Sequence, residues 1–217
     1  MVVDAADDDA LVMDRRAFFR RGIERATRAT VQRANEWANQ RAGHWLRPPF
    51  ALDELEFLLG CTRCDACVEA CPHDALFRLP ARLGPQVAGT PGLDLLNKGC
   101  RLCEDWPCVA SCQPGALAFG SDTVEKGPAI ENAIDLQAPR PLAVIRIDQD
   151  RCLPYLGPEC GACAESCPVA GALLWASAKP SIDPEFCLGC GLCREACITD
   201  PPAITVSAID RSVAPAD

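Results

Sequence analysis

The chain has 217 residues, a formal net charge of −9 and sixteen cysteines. Seven Phe, four Trp, one Tyr and two Met are too few large side chains for an ordinary apolar core to be the only source of stability. Small proteins of this composition are held together by disulfides in oxidising compartments or by bound metal. No long apolar run is present, so no transmembrane helix is expected.

The charges are unevenly distributed between the two ends of the chain. Residues 14–47 carry nine arginines against three acidic residues, whereas residues 51–217 carry twelve basic against twenty-three acidic residues. We therefore divide the chain into an N-terminal segment, 1–50, and an acidic body, 51–217. An acidic body argues against general nucleic-acid binding and suits contact with a basic patch on a protein partner.

A motif of two arginines stands near the N-terminus. The segment Asp14–Arg20 (DRRAFFR) resembles the twin-arginine export motif, but the apolar stretch that a working signal needs is replaced by further arginines up to Arg33. We interpret the motif as a relic or a docking element, and we expect the protein to be cytoplasmic. A periplasmic location, reached through a functional motif or by export with a partner, is the alternative.

The N-terminal segment is predicted to be a basic helical arm behind a disordered tip, residues 1–13. Over 14–42 a weakly apolar strip recurs at steps of three and four, which is typical of a helix. The favoured interpretation is a helix that lies on the body, and docking of arm 14–47 to a partner or a membrane surface is the alternative. A short helix is expected at 53–59. The strip consists of Phe19, Ile23, Ala26, Thr30, Ala34 and Trp37.

From residue 61 onward the chain repeats one unit four times, a group of four cysteines followed by a small or β-branched apolar segment. Those segments predict short strands at 75–77, 115–119, 171–175 and 203–206, and further strand signals precede the third and fourth groups, the clearer at 143–147. The groups are group 1, Cys61, Cys64, Cys67 and Cys71; group 2, Cys100, Cys103, Cys108 and Cys112; group 3, Cys152, Cys160, Cys163 and Cys167; and group 4, Cys187, Cys190, Cys193 and Cys197.

Groups 1 and 4 have the spacing of the bacterial ferredoxin cluster loop, C-x2-C-x2-C-x3-C. Two intervening residues let three thiolates reach one [4Fe–4S] cube, and the fourth cysteine ligates the other cluster of a pair. The predicted fold is therefore α+β, built of tandem or nested bacterial-ferredoxin-like modules of two clusters each, with the N-terminal helical arm.

Groups 2 and 3 depart from that spacing, with four residues between Cys103 and Cys108 and seven between Cys152 and Cys160. These insertions alter the loops without removing a ligand. Zinc sites usually pair their ligands across a long spacer, and disulfides need an oxidising compartment, so both fit the pattern poorly. We predict four [4Fe–4S] clusters held by all sixteen cysteines.

Two pairings of the groups are open. The gap between Cys167 and Cys187 is close to that of a simple two-cluster ferredoxin, which favours sequential pairs, 1 with 2 and 3 with 4. The C-x2-C-x4-C form of group 2 resembles the iron–sulfur subunits of molybdenum oxidoreductases, and that resemblance implies nested pairs, 1 with 4 and 2 with 3. The nested arrangement is our preferred interpretation.

About 150 residues from Cys61 onward resemble the NapG/MauM family of ferredoxin-type accessory proteins. The likeness includes positions that are not cysteines, at 81–84, 89–91, 104–107 and 155–157, and the sequence CLGCGLC at 187–193. The resemblance implies four [4Fe–4S] clusters in an electron-transfer chain such as one from quinol to the periplasm. The incomplete twin-arginine motif resembles NapF-like ferredoxins instead, which implies maturation of a molybdoenzyme.

The sequence offers no catalytic constellation and no nucleotide-binding loop. His44 is expected to be exposed, and for His73 a surface position is favoured over a hydrogen bond near a cluster. We predict an electron carrier between redox proteins, such as an oxidoreductase subunit or a quinol-oxidising membrane protein. The alternatives are a cytoplasmic maturation or targeting factor and a permanent subunit of a larger oxidoreductase.

Overall fold

The computed structural model describes residues 20, 23, 25–34, 38, 45–119 and 139–209. Over these residues the chain forms short helices and three separate two-stranded antiparallel sheets. From residue 45 onward the helices are α1 (Glu54–Gly60), α2 (Ala66–Glu69), α3 (Pro107–Ala110), α4 (Leu153–Leu156) and α5 (Leu192–Glu195), with a 3₁₀ turn at Ala81–Leu83. The strands are β1 (Leu76–Arg78), β2 (Pro91–Leu93), β3 (Val144–Ile147), β4 (Leu173–Ala176), β5 (Lys179–Ile182) and β6 (Ile204–Ser207).

The C-terminal half, which contains groups 3 and 4, is framed by an outer and an inner strand pair. Outer strands β3 and β6 pair antiparallel with Ile145 opposite Val206, and both are rich in β-branched residues that favour extended backbone. Inner strands β4 and β5 form a hairpin between the two groups. In β4, exposure alternates between neighbouring residues, so that Trp175 lies on the more buried face and Leu174 on the exposed face.

The N-terminal half repeats this plan around groups 1 and 2. Its inner hairpin is β1 with β2, and its outer pair is reduced to one bridge between Ala51 and Leu117. Two flanking hydrogen bonds support the bridge, from Leu52 N–H to the Ala116 carbonyl (3.1 Å) and from Ala118 N–H to the Phe50 carbonyl (3.0 Å). The bridge cannot extend toward residues 48–49, because the two prolines there lack an N–H.

The strands predicted at 75–77, 143–147, 171–175 and 203–206 and the helix predicted at 53–59 are thus present within one or two residues. The segment 115–119 contributes a bridge instead of a strand. Within the described ranges, no helix is long and apolar enough to cross a bilayer.

The N-terminal arm differs from the expected helix packed on the body. Residues 25–34 are helical, but Ile23, Ala26 and Thr30 of the predicted apolar strip are exposed, Ile23 to 66%. Ala34 is half-buried and Ala38 is buried, so the protein covers this segment only near its C-terminal end. Between Ile23 and Trp37 the strip offers only Ala and Thr side chains, which have too little apolar area to hold this part of the helix against the body. The tip 1–13, Phe19, Trp37 and His44 lie outside the described residues.

Residues 45–50 belong to the body by their contacts, so the predicted boundary at residue 50 falls inside a packed segment. Arg47 is 4% exposed and Glu54 is fully buried, and the Arg47 guanidinium binds both Glu54 carboxylate oxygens, at 2.6 Å and 2.9 Å. It also donates to the Thr90 hydroxyl (2.8 Å) and stacks on Phe57, 4.4 Å from the ring centroid. Trp45 donates its indole N–H to the same carboxylate (3.1 Å).

The two halves meet along residues 96–101 and 188–195. Gly99 approaches the backbone of Leu192 so closely that a Cβ on Gly99 would lie 2.8 Å from the Leu192 Cα and nitrogen. Next to this contact, Cys100 N–H donates to the Cys190 carbonyl (2.8 Å), and Gly99 N–H donates to the Glu195 carboxylate (2.9 Å). Buried residues of both halves form one continuous core that includes cysteines of all four groups. We call the contact between residues 96–101 and 188–195 the joint.

The Arg47–Glu54 pair generates a stability prediction. Substitution Glu54→Gln leaves the Arg47 charge buried without its partner, and we expect the free energy of unfolding to fall by about 3–5 kcal/mol. The matched control is Asp53→Asn, which removes the neighbouring ion pair with Arg140, whose side chains are both 58% exposed. We expect a change below about 1 kcal/mol for the control. Denaturant unfolding followed by circular dichroism measures both, and equal effects would contradict the prediction.

Candidate metal centres

The sixteen predicted ligand cysteines line four separate cavities, with four cysteines in each. The cavities are similar in size, between about 320 and 360 Å³ including their open mouths. All sixteen are free thiols. We name them cavity A (Cys61, Cys64, Cys67 and Cys112), cavity B (Cys71, Cys100, Cys103 and Cys108), cavity C (Cys167, Cys187, Cys190 and Cys193) and cavity D (Cys152, Cys160, Cys163 and Cys197).

Each cavity takes three cysteines from one group and one from the group paired with it. In groups 1, 2 and 4 the first two cysteines lie on a loop and the third lies in a short helix. The fourth cysteine follows that helix, which carries it into the neighbouring cavity. Cys112, after α3, lines cavity A, and Cys71, after α2, lines cavity B. Groups 1 and 2 therefore pair, as do groups 3 and 4. The preferred nested pairing is wrong, and the thiols follow the sequential alternative.

The loops that carry the first three cysteines are shaped by residues with positive φ. In group 1 these are Arg63 (φ 59°) and Asp65 (φ 63°), each just before or after Cys64. In group 4 the same two positions are Gly189 (φ 69°) and Gly191 (φ 77°). Left-handed residues turn successive N–H groups toward one side, an arrangement that binds anions and iron–sulfur clusters.

Group 2 reaches the same conformation despite its longer middle gap. Leu102 (φ 50°) precedes Cys103, and Trp106 (φ 43°) stands before α3, the position that Asp65 holds before α2. The extra residues therefore lie before the second left-handed position and leave the start of the helix unchanged. The sequence analysis missed these positions, and the two glycines of CLGCGLC were the signal that could have revealed them.

Gly189 has a second constraint beyond its positive φ. A Cβ at this position would lie 2.1 Å from the Ala143 carbonyl oxygen, which is at the start of β3. The adjacent hydrogen bond from Leu142 N–H to the Leu188 carbonyl (2.8 Å) holds the two segments together. The loop of cavity C thus packs directly against the outer strand pair.

Burial controls the chemistry of the innermost thiols. Burial, together with neighbouring thiolates such as Cys100 beside Cys108, raises the pKa of Cys108 and of Cys193 to about 12. Burial likewise raises the pKa of Cys67 and of Cys163 to about 11. A thiolate is poorly solvated at these positions, so four thiolates around one cavity require a compensating positive charge.

Two cysteines have the opposite tendency. Cys64 is exposed, and hydrogen bonds from the Ala66 N–H and the Thr62 side chain lower its pKa. For Cys197, burial is the largest single influence and raises the pKa, but hydrogen bonds from the Thr199 hydroxyl and from several N–H groups together outweigh it and lower the pKa. Both thiolates are stabilised before any metal binds.

The cavities fit [4Fe–4S] clusters better than single ions. A zinc ion bonds to thiolate sulfur at about 2.3 Å, so four thiolates around zinc leave no cavity between them. Here the thiols line the walls of a larger space. In the described part of the chain, no three His, Cys, Asp or Glu side chains converge as ligands of one ion. Four thiolates at the wall, with left-handed residues that orient N–H groups in groups 1, 2 and 4, suit a cubic cluster.

The four cavities lie in the order A, B, C, D. Cavities A and B adjoin because groups 1 and 2 exchange their fourth cysteines, and cavities C and D adjoin for the same reason in groups 3 and 4. The joint connects the middle two, since Cys100 of cavity B donates its N–H to the carbonyl of Cys190 of cavity C. His73 is exposed and contributes to the wall of cavity B, so it is both a surface residue and a neighbour of a centre.

Comparison with known proteins agrees with this geometry. The family model described as a 4Fe-4S dicluster domain matches residues 144–198, which contain groups 3 and 4. A second model, a 4Fe-4S binding domain, matches residues 60–77, which contain group 1.

Curated relatives cover more of the chain. Ferredoxin-type protein NapG of Haemophilus influenzae is 33% identical over 183 residues, which are 78% of this chain and 61% of that protein. Methylamine utilization ferredoxin-type protein MauM of Methylophilus methylotrophus is 34% identical over 205 residues, 88% of this chain and 85% of the relative. Ferredoxin-type protein NapF of Escherichia coli is 30% identical over 162 residues, 73% of this chain and 83% of the relative.

Each of these alignments extends over more than 70% of the chain. They also agree with the expectation of an electron carrier instead of an enzyme, since the relatives are ferredoxin-type proteins. The chain is an iron–sulfur protein with 4Fe–4S domains, and it belongs to the NapG/MauM family of ferredoxin-type electron carriers.

Proposed function

We propose that this protein holds four [4Fe–4S] clusters, one in each of cavities A to D, and carries electrons between two redox proteins. The observation that carries the proposal is that sixteen cysteines form four equivalent cavities of similar size. Bound clusters supply one-electron chemistry. The chain's own residues supply the ligands, the inward N–H groups and the spacing.

The order of the cavities supports transfer from one end of the molecule to the other. Cavities A and D are the terminal ones, and each has a cysteine near the surface: Cys64 is exposed and Cys160 is half-buried. Buried and half-buried cysteines occur in all four cavities, so the order of the cavities, and not burial, is what makes A and D the terminal ones. We propose that one partner docks near Cys64 and the other near Cys160.

The acidic body defines the partners that fit. Opposite surface potentials steer redox proteins into contact, so a negative body favours partners with a basic docking patch. The relatives act in systems that their names describe, such as methylamine utilization. For this chain we propose the broader class, an oxidoreductase subunit or a quinol-oxidising membrane protein.

A second candidate function is maturation or targeting of a redox enzyme in the cytoplasm. Two observations favour it: the match to NapF, and the exposed arm. Arg25, Arg28 and Arg33 are exposed together with Val31, which is 49% exposed. A helix with exposed basic and apolar side chains is suited to bind an acidic, partly apolar surface of a partner. The arm can serve either function as a docking element.

The ligand sets generate a prediction about iron content. Cys67→Ala combined with Cys112→Ala removes two ligands of cavity A alone, and we expect the iron content to fall from about sixteen to about twelve atoms per chain, four per cube. Cys67→Ala combined with Cys71→Ala also removes two cysteines, but from two cavities, and we expect about eight.

Iron and sulfide quantification of anaerobically purified protein measures both double variants. Equal losses would refute the assignment of cysteines to cavities, and an iron content near four in the unmodified protein would refute the four-cluster proposal. Nested pairing instead predicts that Cys67 and Cys197 share a cluster. The pair Cys67→Ala with Cys197→Ala therefore serves as a third variant, for which we expect about eight irons.

The joint generates a prediction about transfer between the halves. Gly99→Ala forces the Leu192 backbone away, and we expect this overpacking to lower the free energy of unfolding by about 1–3 kcal/mol. We also expect slower electron equilibration between cavities B and C. The control is Gly161→Ala, since a Cβ there meets no atom within 4 Å. Pulse reduction followed by absorbance measures the rate. An unchanged rate in a stable, fully loaded Gly99→Ala protein contradicts transfer across the joint.

The arm generates a prediction that separates docking from electron transfer. Arg25→Glu, Arg28→Glu and Arg33→Glu together reverse the exposed charge of the arm, and we expect loss of partner capture with iron content unchanged. The control is Arg82→Glu with Arg146→Glu, two exposed arginines of the body. If an arm truncation is used, it must end before Trp45, because Trp45 and Arg47 are packed against Glu54. Partner capture that survives the triple variant excludes the arm as the docking element.

A further inference from the structure

Trp175 in β4 has a buried hydrogen-bond donor without an acceptor. Its indole ring lines cavity D together with the four cysteines, and its Nε1 is shielded from solvent. Among the described residues, it is the one buried side-chain nitrogen or oxygen for which no hydrogen-bond partner is found. Buried polar groups in folded proteins nearly always have a partner, so an orphan of this kind requires an explanation.

The protein atoms around the ring offer no obvious acceptor. The wall of cavity D includes Leu153, Pro154, Ala162 and Ile204, all with apolar side chains. Trp175 faces Pro180 across the β4–β5 hairpin, and the Pro180 carbonyl already accepts a hydrogen bond from the Tyr155 hydroxyl (2.8 Å). The remaining candidates at the wall are the sulfur atoms that surround the cavity.

A second side chain already contacts one of those sulfurs. The Thr199 hydroxyl oxygen accepts a hydrogen bond from Ala203 N–H (2.8 Å) and lies 3.3 Å from the Cys197 sulfur. In the bond with Ala203 the hydroxyl acts only as an acceptor, so its proton remains available to be donated to the sulfur. A thiolate at Cys197 can only accept, which fixes Thr199 as the donor. The wall of cavity D thus already contains one hydrogen-bond donor to sulfur, the Thr199 hydroxyl.

We propose that Trp175 donates its Nε1–H to a sulfur of the cluster in cavity D and thereby raises the reduction potential of that cluster. The inference rests on the proposed function, since it requires a [4Fe–4S] cluster in cavity D. A hydrogen bond to sulfur stabilises the more negative, reduced state more than the oxidised state, and hydrogen bonds of this kind are a principal means of tuning cluster potentials. Trp175 is then a tuning residue that supplies no ligand.

The test is Trp175→Phe, which removes the N–H and keeps an aromatic ring in the wall. We expect the potential of one cluster to fall, with about a tenfold lower ratio of reduced to oxidised cluster at a fixed applied potential, equivalent to about 59 mV for one electron. We expect the other three potentials to stay unchanged. Redox titration monitored by EPR measures all four.

The control is Leu153→Ala, which removes apolar bulk from the same cavity without removing a donor. Loss of bulk admits water, and water solvates the more negative reduced state and raises the potential. The donor effect and the bulk effect therefore have opposite signs. A potential in Trp175→Phe that is unchanged, or that rises as in Leu153→Ala, overturns the inference.

Iron quantification separates this failure from failure of the proposed function. If Trp175→Phe retains the iron content of the unmodified protein, about sixteen atoms per chain, and no potential falls, the donor role of Trp175 is wrong and the four clusters stand. If the unmodified protein lacks iron in cavity D, the proposed function itself fails. An exchangeable-proton coupling to the cluster, present in the unmodified protein and absent in Trp175→Phe, gives a readout that a purely structural role of the ring would not change.

Discussion

Every cavity depends on one cysteine that crosses over from the other group of its pair. Cys112 completes the set of Cys61, Cys64 and Cys67, and Cys71 completes the set in cavity B. Neither cavity of a pair can therefore form before the two groups have come together. Because the buried thiolates also need a compensating positive charge, folding of each half and uptake of its metal are coupled processes. This coupling explains how a chain with few large apolar residues can have a single ordered structure.

Residues in the left-handed conformation let cysteine loops of different length reach the start of the following helix in the same way. Group 4 has glycine at both positions, whereas group 1 has Arg63 and Asp65 and group 2 has Leu102 and Trp106. A left-handed conformation costs a residue with a side chain about 1–2 kcal/mol. Groups 1 and 2 bear that cost at residues with side chains. This indicates that the N–H groups oriented by the left-handed conformation stabilise the protein by more than the backbone strain destabilises it. The clusters that we propose are the acceptors that make the conformation favourable.

Sequence reasoning predicted the local features and missed the relational ones. The strand at 143–147 and the helix at 53–59 follow from residue types within a few positions, and the structure has both. Pairing of the groups depends on how the short helices that contain Cys67 and Cys108 direct the fourth cysteine of each group, and the spacing of the cysteines alone does not define that direction. The preference for nested pairs relied on the resemblance of one loop. The packing of Arg47 with Glu54 was equally hidden, because both residues look like surface charges in the sequence.

In the function that we propose, the joint links the two halves into one electron path that neither half has alone. Gly99 permits backbone contact with Leu192, and the Cys100 N–H donates to the Cys190 carbonyl. Charged residues around it reinforce the contact, since Glu195 accepts from Gly99 N–H and from Arg101. A joint made at the ligand loops themselves, instead of at distant surfaces, places the inner centres of the two halves next to each other. The same contact therefore stabilises the assembly of the halves and, in the function that we propose, connects their redox centres, so the same few residues serve both stability and electron transfer.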